Sequence, residues 1–348
     1  MKLRTYLDHN ATAPLRSEAR DAMVAALDLV GNPSSVHAEG RAARAAVEKA
    51  RAQVATALGA DGADVIFTSG ATEAAALALA GRNLHGSGIE HDAVGAWVTD
   101  ELPVDGSGRV RVDDPGASVL QLANSETGVV QDLPDGLELS DMTQGFGKLP
   151  FAFNWSGCRM GLISAHKLGG PKGVGALVVR RGTDVVPHLR GGGQEMGRRA
   201  GTENVAAIAG FGAAAEAAAR DLADGVWERV SEFRNILEKA IEASEKETIF
   251  VGKGARRLPN TSCIATPGWK GETQVMQMDL AGFAISAGSA CSSGKIRASR
   301  VLRAMGYDDD VASGAIRVSL GPQTSEEDVL RFAEAWLAKL RKFSARVA

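Results

Sequence analysis

The sequence predicts an α/β protein whose main body is a mostly parallel sheet and whose C-terminal part is a smaller α+β unit. Short apolar runs alternate with segments of helical period through most of the chain, which places helices on both faces of a sheet. Beyond residue 240 the runs become short strands interleaved with helices and ending in an amphipathic helix. At roughly 150 residues per domain, 348 residues make about two domains. The expected division is a large domain over 13–240 and a small one built from 1–12 and 241–348.

The elements follow in order. Val47, Ala50, Val54 and Leu58 recur at spacings of three and four and give one helix a single apolar stripe. Strands are expected at Val65–Ser69, Gly95–Thr99, Val119–Ala123, Met160–Ser164 and Ala176–Arg180. The C-terminal unit offers strands at Thr261–Ala265, Phe283–Ser286 and Ala315–Ser319. Its last helix carries Val329, Phe332, Trp336 and Leu340 on one face, with Thr324 and Glu327 as an expected capping box.

Composition narrows the function. Lys and Arg number 39 against 42 Asp and Glu, a net charge of −3, which lacks the cationic surplus that nucleic acid binding needs. No apolar run approaches the roughly 20 residues of a spanning helix, and the N-terminus has no apolar signal core, so a cytoplasmic protein with no membrane partner is expected. The three cysteines, Cys158, Cys263 and Cys291, form no Cys-x-x-Cys pair, which speaks against a disulfide framework or a zinc site. No metal is expected.

Several motifs bear chemistry. Thr68-Ser-Gly-Ala-Thr-Glu73 joins a strand to an Ala-rich helix, and its small residues let backbone N–H groups approach a phosphate. Ser164-Ala-His-Lys167 ends a strand before a Gly-rich stretch, a setting in which a lysine can be desolvated enough to form a Schiff base. Asp141 lies upstream of it, and an ionised aspartate in a pocket can keep a pyridine nitrogen protonated. Cys291 sits among Ser and Gly in a loop, with Lys295 and Arg297 close behind to favour its thiolate, whereas Cys263 reads as buried in a strand and Cys158 as incidental. The basic, Gly-rich run Arg190–Thr202 suits an anion, and Arg317 in a strand suits a carboxylate. Singly, each has an ordinary reading as a capped turn, a surface lysine, a helix cap or a solvated loop.

Together they resemble one family. In chain order, Tyr6-Leu-Asp-His-Asn-Ala-Thr-Ala-Pro14, Gly31-Asn-Pro-Ser-Ser35, Thr68-Ser-Gly-Ala-Thr-Glu73, Glu90-His91, Ser125-Glu-Thr-Gly-Val-Val-Gln131, Asp141-x-x-Gln144, Ser164-x-His-Lys167, Gly170-Pro-Lys-Gly-Val-Gly-Ala-Leu177, Arg199-Ala-Gly-Thr202 and Gly288-Ser-Ala-Cys291 resemble the cysteine desulfurases. These are pyridoxal phosphate (PLP) enzymes of the class V aminotransferase type. The long cysteine loop is similar to that of the group serving iron–sulfur assembly.

The resemblance implies the type I, aspartate-aminotransferase-like fold, the cofactor PLP, the substrate L-cysteine, a homodimer and a sulfur-acceptor protein. It implies that Lys167 holds PLP as a Schiff base and moves the Cα proton, that Asp141 pairs with the pyridine nitrogen, and that Gln144 bonds the phenolic oxygen. His91 is implied to stack on the ring. Ala71, Thr72, Ser164 and His166 would hold the phosphate, with Thr202 supplied by the other subunit. Asn124 and Ser125 stand where relatives contact the cofactor, Ser125 replacing an asparagine. Arg317, with Asn10, would bind substrate, and Cys291 would be the nucleophile. Met142 replaces a small residue expected to lie against the ring, and the spans 91–124 and 128–141 are shorter than in relatives. The alternatives are a selenocysteine lyase or another class V lyase or transaminase and, from a different class, a degenerate homologue that only binds a partner.

Overall fold

The computed structural model describes residues 4–245, 247–288 and 298–347, so the expected nucleophile Cys291 lies outside the described residues. From the N-terminus, β1 (Thr5–Tyr6) leads into helices α1 (Ser17–Leu27) and α2 (Ala38–Leu58). His37 caps α2 through its side chain, and Gly59 ends it in the left-handed conformation that glycine adopts without strain. Then come β2 (Asp64–Thr68), α3 (Ala71–Leu79), β3 (His85–Gly86), α4 (Asp92–Gly95) and β4 (Thr99–Asp100). The sheet continues with β5 (Leu139–Asp141), β6 (Met160–Ser164) and β7 (Gly175–Val179).

These strands pair in the order β2-β7-β6-β5. Strands β5 and β6 are parallel, while β7 runs antiparallel to both its neighbours. Parallel bridges from Leu139 to Val119 and from Ser118 to His85 carry the pairing on to β3 and β4. Both faces are buried, and the strand period of two sorts the side chains between them. Phe67, Ile163 and Val178 pack with α2 and α5 residues in one core, while their neighbours Ile66, Leu162 and Leu177 join α3 residues in another.

Two expected strands differ. Residues 92–95 form α4 because His91 accepts a hydrogen bond from Ala93 N and caps the turn, so only Thr99–Asp100 pair. The Val119–Ala123 segment is extended and donates from Leu120 and Leu122 to β5, without forming a full ladder.

Helices α5 (Val205–Ala223) and α6 (Val226–Glu242) follow the sheet, and then β8 (Ile249–Phe250), β9 (Thr261–Ala265), α7 (Gly271–Ala281), β10 (Phe283–Ala284) and β11 (Ser286–Ala287). The chain closes with α8 (Arg300–Ala304), α9 (Asp309–Ser313), β12 (Ala315–Ser319) and α10 (Glu326–Val347). A second sheet of order β11-β12-β9-β8 is antiparallel throughout. Trp227 and Val230 of α6 pack with Ile316, Val318, Phe332 and Trp336 on one of its faces. The capping box of α10 falls one residue later than expected: Ser325 and Asp328 exchange the two hydrogen bonds, because the Thr324 hydroxyl is taken by Gly321 N.

β1 pairs with β10 in a two-stranded sheet of their own, and Asp8 bridges to Ser319 of β12, so the first residues lie with the C-terminal strands before the chain crosses to the first sheet. The Arg190–Thr202 run is pinned over the open edge of β2. Glu195, in the left-handed region at φ 49°, accepts from Phe67 N at 2.9 Å and pairs with Arg51 at 2.7 Å. Among the described residues no helix is long and apolar enough to cross a membrane.

Helix α5 lies on α2 with backbone almost touching: a Cβ on Gly212 would stand 2.6 Å from the Ala50 Cα. Gly212→Ala is expected to cost about 1–3 kcal/mol through overpacking, read as a lower unfolding midpoint in thermal denaturation; an unchanged midpoint would show that the helices have slack.

Candidate active site

Strands β2, β5 and β6 deliver Thr68, Asp141 and Ser164 to one edge of the sheet, where β2, β5 and β6 end and β7 begins. Ligands gather at such strand ends because the loops there diverge and expose backbone groups. The cavity has a volume of about 620 Å³ and is walled by Ala71, Thr72, His91, Ser125, Asp141, Gln144, Ser164, His166 and Lys167. Nine of the expected site residues therefore meet in one place.

Each wall residue is held by its own element. Gly70 precedes α3 with no side-chain cap, so the first N–H groups of this nine-residue helix, at Ala71 and Thr72, are not covered by a capping side chain. Asp141 accepts from Thr143 N at 2.9 Å, which fixes the carboxylate at the end of β5. His91 Nδ1 accepts from Ala93 N at 3.1 Å, so the proton of the neutral ring sits on Nε2. His166 contacts the Thr12 hydroxyl at 3.2 Å, and burial together with Lys167, Lys172 and Lys148 pushes its pKa down to about 4. Lys167 Nζ donates to the carbonyls of Asn10 at 2.8 Å and Ala11 at 3.0 Å, acceptors that aim the amine without neutralising it.

Other expected residues stand elsewhere. Asn124 does not face the cavity: its Oδ1 takes Glu126 N, Thr127 N and the Thr127 hydroxyl, and its Nδ2 donates to Ile89 O, so the amide is consumed in stitching a turn. Asn10 is 1% exposed and its amide binds Lys148, Asn260 and Thr261. Arg317 is buried behind Ser125, donating to its carbonyl at 3.0 Å and to Asp8 at 2.8 Å. Thr202 is exposed beside a neighbouring depression that shares Ser69 and Gly173 with the main cavity.

Met142 does not lie at the cavity. It is fully buried in the core, against Gly161, whose missing side chain makes its room, and the next residue, Thr143, lines the cavity instead. The alternation of side chains leaving a strand end accounts for the swap. Two participants went unforeseen. Thr143 has a buried hydroxyl with no partner among the described residues, and Lys148 donates to Gln144. The spacing of four between Gln144 and Lys148, one helical turn, is the signal that could have revealed the latter.

Both described cysteines are buried. Desolvation lifts the Cys158 thiol to about 11 and raises that of Cys263 further, so neither is a ready nucleophile. No cluster of His, Cys, Asp and Glu among the described residues could hold a metal.

A lysine beyond one strand end, a carboxylate on the parallel neighbour and a helix N-terminus across the cavity make up the donor set that pyridoxal phosphate requires. Amine, carboxylate and anion-binding N–H groups match its aldehyde, ring nitrogen and phosphate, and the orphaned Thr143 hydroxyl leaves a polar group for a ligand to satisfy.

The comparisons agree with this class. The model of the aminotransferase class-V family matches residues 5–94 and 113–332. A cysteine desulfurase IscS of Dictyoglomus turgidum is 37% identical over 384 aligned positions, covering 99% of this chain and 97% of its own. The cysteine desulfurase NifS of Azotobacter vinelandii is 36% identical, covering 97% and 94%. The solved structure of a NifS-like protein from Rickettsia africae superposes with a TM-score of 0.87 at 30% identity, covering 97% of this chain and 99% of that one. The chain belongs to the class V aminotransferase family. Within it the chain falls among the cysteine desulfurases, which are pyridoxal phosphate enzymes.

His9, packed on Gly321, is held by burial and by Lys148 at a pKa of about 4 against an ordinary 6.5. The unfolded chain therefore binds the extra proton first, and stability falls as pH drops from 6.5 towards 4. Denaturation across that window should show a shallower pH slope in His9→Gln than in wild type; equal slopes would remove His9 from the account.

Proposed function

We propose that the chain takes sulfur from L-cysteine, releases L-alanine and carries the sulfur as a persulfide on Cys291 to an acceptor protein, in iron–sulfur cluster assembly or a related delivery. The observation that carries this reading is the meeting of Lys167 and Asp141 on one cavity from adjacent parallel strands, in a chain whose relatives are named cysteine desulfurases. Bound there, pyridoxal phosphate supplies an electron sink for the pair left at Cα when a proton departs.

The residues divide the remaining tasks. Lys167 carries the cofactor and, aimed by the Asn10 and Ala11 carbonyls, moves the Cα proton. Asp141 keeps the ring nitrogen protonated. His91, which lines the cavity with its Nε2 proton directed by the Ala93 contact, would help to hold the ring. Ala71 and Thr72 N–H groups, Ser164 and His166 take the phosphate, and an anion there raises the imidazole pKa from its depressed value. Gln144 donates to the phenolic oxygen, and Ser125 lines the wall beside it. Arg317 is given the substrate carboxylate, for which its guanidinium must turn from Asp8 and the Ser125 carbonyl towards the cavity, with Asn10 fixing the floor.

In the sulfur step the thiolate of Cys291 attacks the substrate sulfur. The Cβ–S bond breaks as the S–S bond forms, and the carbon frame ends protonated as alanine, so cysteine and enzyme thiol become alanine and enzyme persulfide. The buried, protonated thiols of Cys158 and Cys263 support Cys291 in this role. Thr202 on the pinned 190–202 run supports a homodimer in which each subunit completes the other's phosphate site. A cytoplasmic setting fits the sparse, unpaired cysteines.

Incubation of the PLP-loaded protein with L-cysteine and a reductant should give alanine and sulfide in equal yield. Cys291→Ser should keep the visible absorbance and lose both products; retained desulfuration would point to another nucleophile. Lys167→Ala should lose the visible band, and an unchanged spectrum would overturn the assignment of the lysine.

A further inference from the structure

Lys148 is 3% exposed, and the reaction described above gives it no task. Its Nζ donates to Gln144 Oε1 at 2.9 Å and to Asn10 Oδ1 at 3.2 Å. Among the described residues no carboxylate stands within ion-pair distance of it. The charged or titratable groups facing it are Lys167, Arg317, His9 and His166. Burial and the two cations hold its pKa well below the ordinary lysine range. Even as a neutral amine it keeps two protons, one for each of these oxygens.

That arrangement decides which way an amide points. With Oε1 bound to Lys148, the nitrogen end of Gln144 faces the other way. Nε2 gives one proton to the Asn10 carbonyl at 2.9 Å, leaving the second for the cavity that Gln144 lines. Asn10 is oriented by the same amine. Its Oδ1 also takes Asn260 Nδ2 at 3.1 Å, and its own Nδ2 donates to Thr261 at 2.8 Å and to Ser125 O at 3.3 Å.

We propose that Lys148 is a positioning residue that holds Gln144 with its N–H end towards the cofactor's phenolic oxygen, an inference resting on the placement of pyridoxal phosphate in this cavity. If the amide turned over, it would bring an oxygen lone pair to an oxygen that carries negative charge. The lost donor would leave the phenolic oxygen more basic, and the proton it shares with the nitrogen joining Lys167 to the cofactor would be held more tightly. The action runs through a hydrogen-bond donor, so it does not require the lysine's charge.

The test is a pH titration of the visible band of the PLP-loaded protein, without substrate, in wild type, Lys148→Met, Lys148→Gln and Gln144→Ala. The midpoint should rise by about one unit in Lys148→Met, as far as in Gln144→Ala, and the double variant should move no further than either. Lys148→Gln, which keeps an N–H donor without charge, should hold the wild-type midpoint. An unmoved midpoint in Lys148→Met overturns the proposal, and so do shifts that add in the double variant. Should Lys148→Met not fold, Lys148→Ala, which also removes the donor, takes its place: a midpoint raised as far as in Gln144→Ala supports positioning, and a wild-type midpoint overturns it. A wild-type protein that shows no visible band contradicts the cofactor assignment itself.

Discussion

Asn10 joins the two halves of the molecule. Its backbone carbonyl receives Lys167 and Gln144, and its backbone N–H donates to Ser319 of β12. Its side chain binds Lys148 from the first half and Asn260 and Thr261 from the second. Apart from the half-buried Lys167 all of this is buried, where an unmet polar group costs about 1–3 kcal/mol, so the segment has little freedom to sit elsewhere. The position of the Lys167 amine is thus fixed by a residue more than 150 positions away, itself anchored to the C-terminal sheet.

This dependence explains the path of the N-terminus. β1 pairs with β10 and Asp8 reaches both Arg317 and Ser286 before the chain crosses to the cavity floor. A segment that began in the first sheet could not present Asn10 to both. Glu126 anchors the same boundary from the other side, donated to by Ser299 at 2.5 Å and raised by burial to a pKa of about 7.

What the sequence revealed follows from what backbone position alone decides. Lys167 and Asp141 were legible because one follows β6 and the other ends β5, and a strand end fixes the location of its side chain; His91, the N-cap of α4, was reached through the family resemblance alone. Asn124 and Met142 were not legible. Which of two adjacent residues faces a cavity depends on the exact phase of the turn, and the Asn124 amide is captured by Glu126 and Thr127 of its own turn. Lys148 was hidden for another reason: an apolar count treats lysine as surface, while here amide oxygens replace water. The strand expected at Gly95–Thr99 failed where the family match itself is interrupted, over 95–112. That stretch lies at the β4 edge and contributes no wall to the cavity.

In the proposed function Lys167, held by the Asn10 and Ala11 carbonyls, is the lysine that carries the cofactor. Three lysines lie in or next to the cavity, Lys148, Lys167 and Lys172. Borohydride reduction of the PLP-loaded protein fixes the cofactor to whichever amine holds it, and peptide mass spectrometry reads the position. A pyridoxyl label is expected on Lys167 alone. A label on Lys148 or Lys172 with Lys167 unmodified would contradict it.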